Sequence, residues 1–189
     1  NPYPLFEQWF EMAVRAGLKL PNAMTLATAS KNGKPAARIV LLKDVDRKGI
    51  CFFTNYRSRK GAELHANPRA TLLFYWPELD LQIRIDGRVK KVSARESDAY
   101  FSTRPRESQI GAHASLQSKP MADQSVLFAE FGRLAKKFEG KEVPRPKHWG
   151  GYRLAPESFE FWKGRDFRLH DVLLYTKSGG GWKKTLLFP

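Results

Sequence analysis

Apolar and polar positions divide the chain into segments of two different periods. Between residues 4 and 17, Leu5, Phe6, Trp9, Ala13 and Ala16 recur at three- and four-residue spacing, which predicts an amphipathic helix stopped by Gly17. The period then shortens. Residues 24–29 read as a strand, Asn32-Gly33 as a hairpin turn, and residues 35–43 as the returning strand. In that returning strand Ile39, Val40, Leu41 and Leu42 are apolar on both alternating faces, which predicts a central strand with cover on each side. Lys48-Gly49 marks a tight turn into a second apolar strand at residues 50–53, and residues 61–67 read as a short helix.

Further along, residues 69–76 form a strand ended by Pro77, and residues 79–92 alternate, with Gly87 marking a bulge or bend. Ser93 and Glu96 have capping-box spacing, so a helix should run from there to about Arg104, where Pro105 stops it. Residues 123–138 read as an exposed helix rich in Lys, Glu and Ala, and residues 143–147 as a stiff linker. Strands are expected at 151–155, 158–162, 169–176 and 182–188, the last two joined through Gly179-Gly180-Gly181. About eight strands and three or four helices result. Tight turns imply antiparallel pairing, and closure into a barrel would remove the sheet edges. The expectation is one α+β domain, mainly β, spanning residues 1–189, with no internal repeat.

Charge narrows the partners. Lys and Arg number 33 against 19 Asp and Glu, a net charge of +14, which suits nucleic acid, an anionic membrane surface or phosphorylated small ligands. No run of five cations occurs, which argues against a nucleic-acid arm. No apolar run approaches membrane-spanning length and no signal peptide is visible, so a soluble, cytoplasmic protein without a membrane partner is expected. The chain starts at Asn1 and not Met, so an N-terminal segment of the full-length protein is expected to be missing. Cys51 is the single cysteine, and His65, His113, His148 and His170 show no ligand spacing, so neither a disulfide nor a metal is expected.

Polar chemistry gathers in five places. Ser58 is a good helix N-cap, yet Arg59 and Lys60 then occupy the first turn, where the helix dipole disfavours cations. A bound phosphate would reverse that penalty; a solvated basic helix start is the alternative. Arg38 and Lys43 flank the apolar strand, and a separation of five puts them on opposite faces. Tyr100 and Arg104 are neighbours on one helix, either facing a ligand or forming an ordinary surface pair, with Ser108 just beyond Pro105. Gln117-Ser118 lies in a polar turn. Arg168 and His170 are two apart in a strand and share a face, shortly after Trp162.

The strings ARIVLLK, FFTNYRSRKG, YFSTRPRESQIGAHASLQS, HWGGYRLAP, EFWKG and RLHD, in this order, closely resemble the pyridoxamine 5'-phosphate oxidase family over nearly the whole chain. The resemblance implies a split β-barrel flanked by helices, a homodimer with FMN at the subunit interface. It implies oxidation of pyridoxamine or pyridoxine 5'-phosphate to pyridoxal 5'-phosphate, with dioxygen as acceptor and hydrogen peroxide released. Matching FMN positions are Arg38, Ile39, Val40, Leu41, Leu42, Lys43, Phe53, Thr54, Arg59, Lys60, Gln82, Gln117, Ser118 and Trp162. Matching substrate positions are Lys43, Tyr100, Arg104, Ser108, Arg168 and His170, of which Arg168 and His170 would orient the reacting end. The aromatic run of Phe52, Phe53, Phe74, Tyr75 and Trp76 adds an expectation of its own: more aromatic surface than one small barrel buries, hence a dimer.

Three departures bear on flavin affinity and turnover. The family pattern RLHDR is broken by Val172, its C-terminal Arg-Leu-x-Pro by Leu186-Leu187-Phe188-Pro189, and an acidic position by Leu20. In a regular strand Val172 would share a face with Arg168 and His170, and FMN would then be held less tightly than in relatives. Competing readings are a split-barrel flavin oxidoreductase on another substrate and a non-catalytic flavin or pyridoxal phosphate binder; a nucleic-acid module comes last.

Overall fold

The computed structural model describes residues 1–189. Its first helix, α1 (Tyr3–Arg15), buries Phe6 and Ala13 in the main core, where Phe6 meets Phe74 edge-on at 5.5 Å. Then follow β1 (Ala23–Ala29), β2 (Pro35–Leu41), β3 (Asp44–Asp46), β4 (Gly49–Asn55), α2 (Arg59–Ala66), β5 (Arg69–Trp76) and β6 (Leu81–Lys91). Three helices come next, α3 (Ala94–Ser102), α4 (Arg106–Ala114) and α5 (Gln124–Lys137), and the chain ends with β7 (Trp149–Lys163), β8 (Asp171–Ser178) and β9 (Gly181–Leu187). No helix is long and apolar enough to cross a membrane.

All strand pairs are antiparallel, in the order β2-β1-β5-β6-β7-β4-β3, with β8 and β9 added alongside β7. The sheet curls, and residues after β2 join its two ends: the Leu42 amide donates to Asn22 of the β1 side and the Lys43 amide to Cys51 of β4. Inside lie Met24, Leu26, Phe52, Leu72, Phe74, Ile83, Phe159 and Phe161, all essentially fully buried. A smaller core of Phe101, Ile110, Ala114, Leu134, Phe138, Val143 and Trp149 binds α3, α4 and α5 to the start of β7.

Local signals hold well. Ser93 and Glu96 form the capping box, Ser58 caps α2, and the β6/β7 register shifts at Gly87, where a Cβ would lie 2.2 Å from the Ala155 carbonyl oxygen. Several expectations need correction. Pro105 does not simply end a helix; it opens α4, which the sequence pattern missed. The strands expected at 151–155 and 158–162 are one strand, because Pro156 sits at the bulge opposite Gly87, where a missing N–H breaks no ladder. α5 is only partly exposed, since Leu134 and the adjoining Phe138 are buried.

The strand through Ile39 is not central. β2 lies at the sheet edge of this chain, and Ile39 is 63% exposed. Its outward side belongs to a row that the register fixes across the sheet: Ile39, Thr25, Leu73, Arg84, Glu160 and Leu174. The aromatic argument also shifts, because Phe52, Phe74 and Trp76 are buried in their own barrel, whereas Tyr75 is 58% exposed on the outer face.

Gly49 begins β4 at φ +135°, and a Cβ there would stand 1.9 Å from the Leu154 carbonyl oxygen. Gly49→Ala should therefore destabilise the fold by roughly 2 kcal/mol or more. For a chain of this size that is a fall of about 4–8 °C in Tm; an unchanged Tm by calorimetry would contradict the reading.

Candidate active site

A cleft of about 850 Å³ opens where the barrel seam meets α2, α3 and α4. The end of β2 supplies Ile39, Val40 and Leu41, and the seam supplies Lys43, whose amide bond to Cys51 fixes its backbone. β4 supplies Phe53, Thr54 and Asn55, the first turn of α2 supplies Lys60, and the end of α3 supplies Tyr100 and Thr103. Arg104, Pro105 and Ser108 come from the α3–α4 junction, and Gln117 from the turn after α4.

One wall is aromatic. Phe53 stacks between Tyr100, at 4.1 Å between ring centroids, and Trp149, at 5.5 Å. The Arg104 guanidinium lies 4.5 Å over the Trp149 ring, and Lys43 Nζ lies 5.6 Å from the Tyr100 ring. Such a wall offers flat apolar surface for a planar ring and leaves cations at its edges.

Charge decides what the cleft can hold. Its lining includes Lys43, Lys60 and Arg104 and no Asp or Glu. Burial pulls the Lys60 ammonium below its usual range, with the Arg38 charge adding to the effect and Glu63 opposing it. Burial likewise lowers Arg104, whose Nη1 is buried without a hydrogen-bond partner. Lys60 Nζ reaches only as far as Gln117 Oε1, at 3.4 Å, which Thr54 Oγ1 approaches at the same distance. An anion in this cleft would relieve both penalties.

Behind Lys60, Glu63 of α2 is buried. It accepts from Thr28 Oγ1 at 2.5 Å, Arg38 Nη2 at 2.9 Å and Arg59 Nε at 2.8 Å. Burial raises its carboxyl, and the hydrogen bonds from Thr28, Arg59 and Arg38 outweigh this and leave it below the usual range.

Eleven of the expected ligand residues line this one cleft: Ile39, Val40, Leu41, Lys43, Phe53, Thr54, Lys60, Tyr100, Arg104, Ser108 and Gln117. Val40 and Leu42 turn their side chains into the core, and the Leu42 amide is spent on Asn22. Arg38 and Arg59 stand behind the lining on Glu63, and Ser118, at φ +71°, lies in the turn beside Gln117. Arg104 is not on the helix with Tyr100, because α3 ends at Ser102. Trp149 went unassigned because the strand was expected to begin only at residue 151, whereas β7 starts at Trp149.

The remaining four residues lie elsewhere. Gln82 and Trp162 are register partners on the outer face of the sheet, and Tyr75 and Val172 extend the same row. Arg168 and His170 are not in a strand. Arg168, at φ +61°, ends a 3-10 turn (Asp166–Arg168), and β8 starts only at Asp171. His170 packs against Trp162 at 4.6 Å and accepts from the Arg165 amide through Nδ1. Regular alternation from Arg168 to Val172 therefore fails; Val172 stands in the outer-face row beside Trp162, against which His170 packs, and is 7% exposed, between Trp162 and Leu187.

The Glu63 carboxyl titrates lower folded than unfolded, so its stabilisation is complete above the usual value of 4.5 and is lost as pH falls through the depressed folded value. The stability gap between the wild type and Glu63→Gln should narrow across that acid range. Urea midpoints followed downward from neutral pH measure it, and a gap that widens in acid would refute the assignment.

Comparisons with known proteins show which family the chain resembles. The family model described as pyridoxamine 5'-phosphate oxidase matches residues 10–137, and that described as pyridoxine 5'-phosphate oxidase C-terminal dimerisation region matches residues 149–189. The chain is 54% identical to a pyridoxine/pyridoxamine 5'-phosphate oxidase of Rubrobacter xylanophilus, covering 100% of this chain and 87% of that one. It is 56% identical to the protein so named from Paraburkholderia phymatum, covering 100% and 89%. Among solved structures, PhzG from Burkholderia lata, in complex with tetrahydrophenazine-1-carboxylic acid, superposes with a TM-score of 0.95 at 35% identity, over 100% of this chain and 93% of that one. A pyridoxamine 5'-phosphate oxidase-related, FMN binding protein from Nostoc punctiforme shares the fold, with a TM-score of 0.81 at 18% identity over 100% and 98%. The chain is an oxidoreductase with the split-barrel fold and belongs to the pyridoxamine 5'-phosphate oxidase family.

Proposed function

We propose that this protein oxidises pyridoxamine and pyridoxine 5'-phosphates to pyridoxal 5'-phosphate with FMN and dioxygen, as a cytoplasmic homodimer. The observation that carries the reading is a cleft with three cations, no carboxylate and an aromatic wall. Two groups of its residues are suited to anions. Lys60 at the start of α2, with Thr54 and Gln117 near it and Arg59 behind, suits the phosphate of FMN. Arg104 with Ser108, Tyr100 and Lys43 suits the phosphate of the substrate.

Bound FMN would accept the hydride equivalent from C4' and pass its electrons to dioxygen, releasing hydrogen peroxide. The chain's own residues align and neutralise. Arg104 and Ser108 fix the phosphate end of the substrate, the wall of Phe53, Tyr100 and Trp149 excludes water, and Arg168 and His170 orient the reacting end.

In one chain the outer-face residues Gln82, Trp162, Arg168 and His170 do not line the cleft. A two-fold dimer that pairs outer faces would bring them to the partner's cleft and cover Ile39 and Tyr75. A second reading, another substrate on the same flavin site, draws on the likeness to PhzG, because Arg104 and Lys43 can also grip a carboxylate.

The purified protein should show flavin absorbance and release peroxide when pyridoxine 5'-phosphate is added in air. Preference for a tricyclic carboxylic acid over the phosphorylated vitamers would favour the second reading. Arg104→Ala should raise KM for the phosphorylated substrate by about one to two decades, the loss of a charge-assisted bond of about 1.5–3 kcal/mol, with FMN affinity little changed. Loss of FMN at constant KM would exchange the two phosphate assignments. Light scattering should give twice the 21.6 kDa chain mass. Tyr75→Asp should then yield a monomer that no longer retains flavin; a flavin-loaded monomer would sink the interface reading.

A further inference from the structure

Glu63 lines no part of the cleft, and the reaction proposed above gives it no task. Its side chain is 8% exposed, on the buried side of α2. Oε2 accepts hydrogen bonds from the hydroxyl of Thr28 on β1 and from Nη2 of Arg38 on β2, while Oε1 accepts from Nε of Arg59 one helical turn earlier. Arg38 Nη1 in turn donates to Thr28 Oγ1 and to the Leu26 carbonyl at 3.3 Å. One carboxylate thus ties two strands to the first turn of α2.

Fold stability alone is a poor account of such a group. A buried ion pair rarely outperforms apolar residues of the same size, because two charges must be desolvated. α2 already has Leu64 buried against the barrel. What the carboxylate does set is direction. It turns the Nε edge of Arg59 inward at the start of α2, while that side chain stays half-exposed and its terminal nitrogens make no other ion pair. It also holds Arg38, only 19% exposed, in place close enough for its charge to act on Lys60. Removing the carboxylate would leave Arg38, Arg59 and Lys60 with no acidic partner among them.

We infer that Glu63 is a positioning residue for the phosphate end of the cleft. It fixes Arg38 and Arg59 so that a phosphate monoester meets oriented donors at the start of α2 instead of mutually repelling cations. The inference rests on reading that end as the site of the flavin phosphate. Two effects oppose each other when the charge is removed: loss of orientation weakens phosphate binding, and the extra net positive charge strengthens it. Salt weakens only the second: it is partly screened across the open cleft, and more so in 1 M salt, where the Debye length is about 3 Å.

The test compares FMN with riboflavin, which lacks the phosphate, by flavin-fluorescence titration of apoprotein in 0.1 M and 1 M salt. Glu63→Gln should weaken FMN binding about ten- to a hundredfold, more clearly at the higher salt, and leave riboflavin within about twofold. Thr28→Val, which removes one anchor of the carboxylate, should shift FMN in the same direction by less, and it serves if Glu63→Gln does not fold. Unchanged or tighter FMN binding at both salts would overturn the inference. So would an equal loss of FMN and riboflavin, which would mark Glu63 as purely structural. A wild type that binds both flavins equally would remove the phosphate reading itself, and that result needs no variant.

Discussion

The strand β7 imposes the constraint on which the site depends. Its first residues pair with β4, its last with β8, and β6 runs along most of its length, so one continuous segment spans both halves of the sheet. Trp149 at its start packs against Phe53 in the cleft, while Trp162 near its end carries His170 on the outer face. An extended chain rises about 3.3 Å per residue, so the two indoles are separated by roughly 40 Å of strand, less what the bend at Pro156 takes up. Within one chain Trp149 lines the cleft and Trp162 does not. If both groups serve one ligand, as the proposed function requires, the second comes from another copy, and a two-fold axis then builds two equal sites.

Pairing of charges separates structure from ligand binding. Arg153 of β7 meets Asp46 at 2.8 Å, Glu96 at 3.1 Å and Asp44 at 3.4 Å, and Arg145 meets Asp98 at 2.7 Å. These cations are spent on holding strands and helices together. Lys43, Lys60 and Arg104 line the cleft, no carboxylate shares that lining, and burial disfavours the charged forms of Lys60 and Arg104. A fold selected only for stability gains nothing from such an arrangement, since unpaired cations at a half-buried surface cost free energy until an anion arrives.

What the sequence disclosed was mostly local chemistry. The Ser58 cap, the Ser93–Glu96 box and the Gly87 bend are set by neighbours in the chain, and they stand where spacing places them. Prolines misled wherever tertiary pairing chose their role: Pro105 opens a helix and Pro156 sits inside a strand. The double-faced run at Ile39 was read as a central strand covered on each side, yet β2 lies at the sheet edge with Ile39 63% exposed, because periodicity does not show what, if anything, covers an apolar face. Glu63 was invisible for a related reason. It reads as an ordinary helix carboxylate, and Thr28 and Arg38, 35 and 25 residues away, are known to be its partners only once the barrel has curled.

The turn before β8 shows where the fold departs from the cheapest local path. Had the strand begun at Leu169, as its apolar pattern suggests, alternation would have laid Arg168 and His170 flat on the sheet beside Trp162. Instead Phe167 and Arg168 both adopt left-handed backbone, at φ +56° and +61°, and Phe167 is 91% exposed. Two such residues in succession cost about 1–3 kcal/mol each and persist only where surroundings over-determine them. Here the surroundings are visible: Arg165 bonds Asp171 at 2.7 Å across the turn, and its amide bonds His170, which rests on Trp162. The strained turn keeps Arg168 out of β8, three residues before that strand begins. Those contacts hold the turn without any ligand, and under the proposed function the same irregular segment would supply Arg168 and His170 to a ligand held between two outer faces.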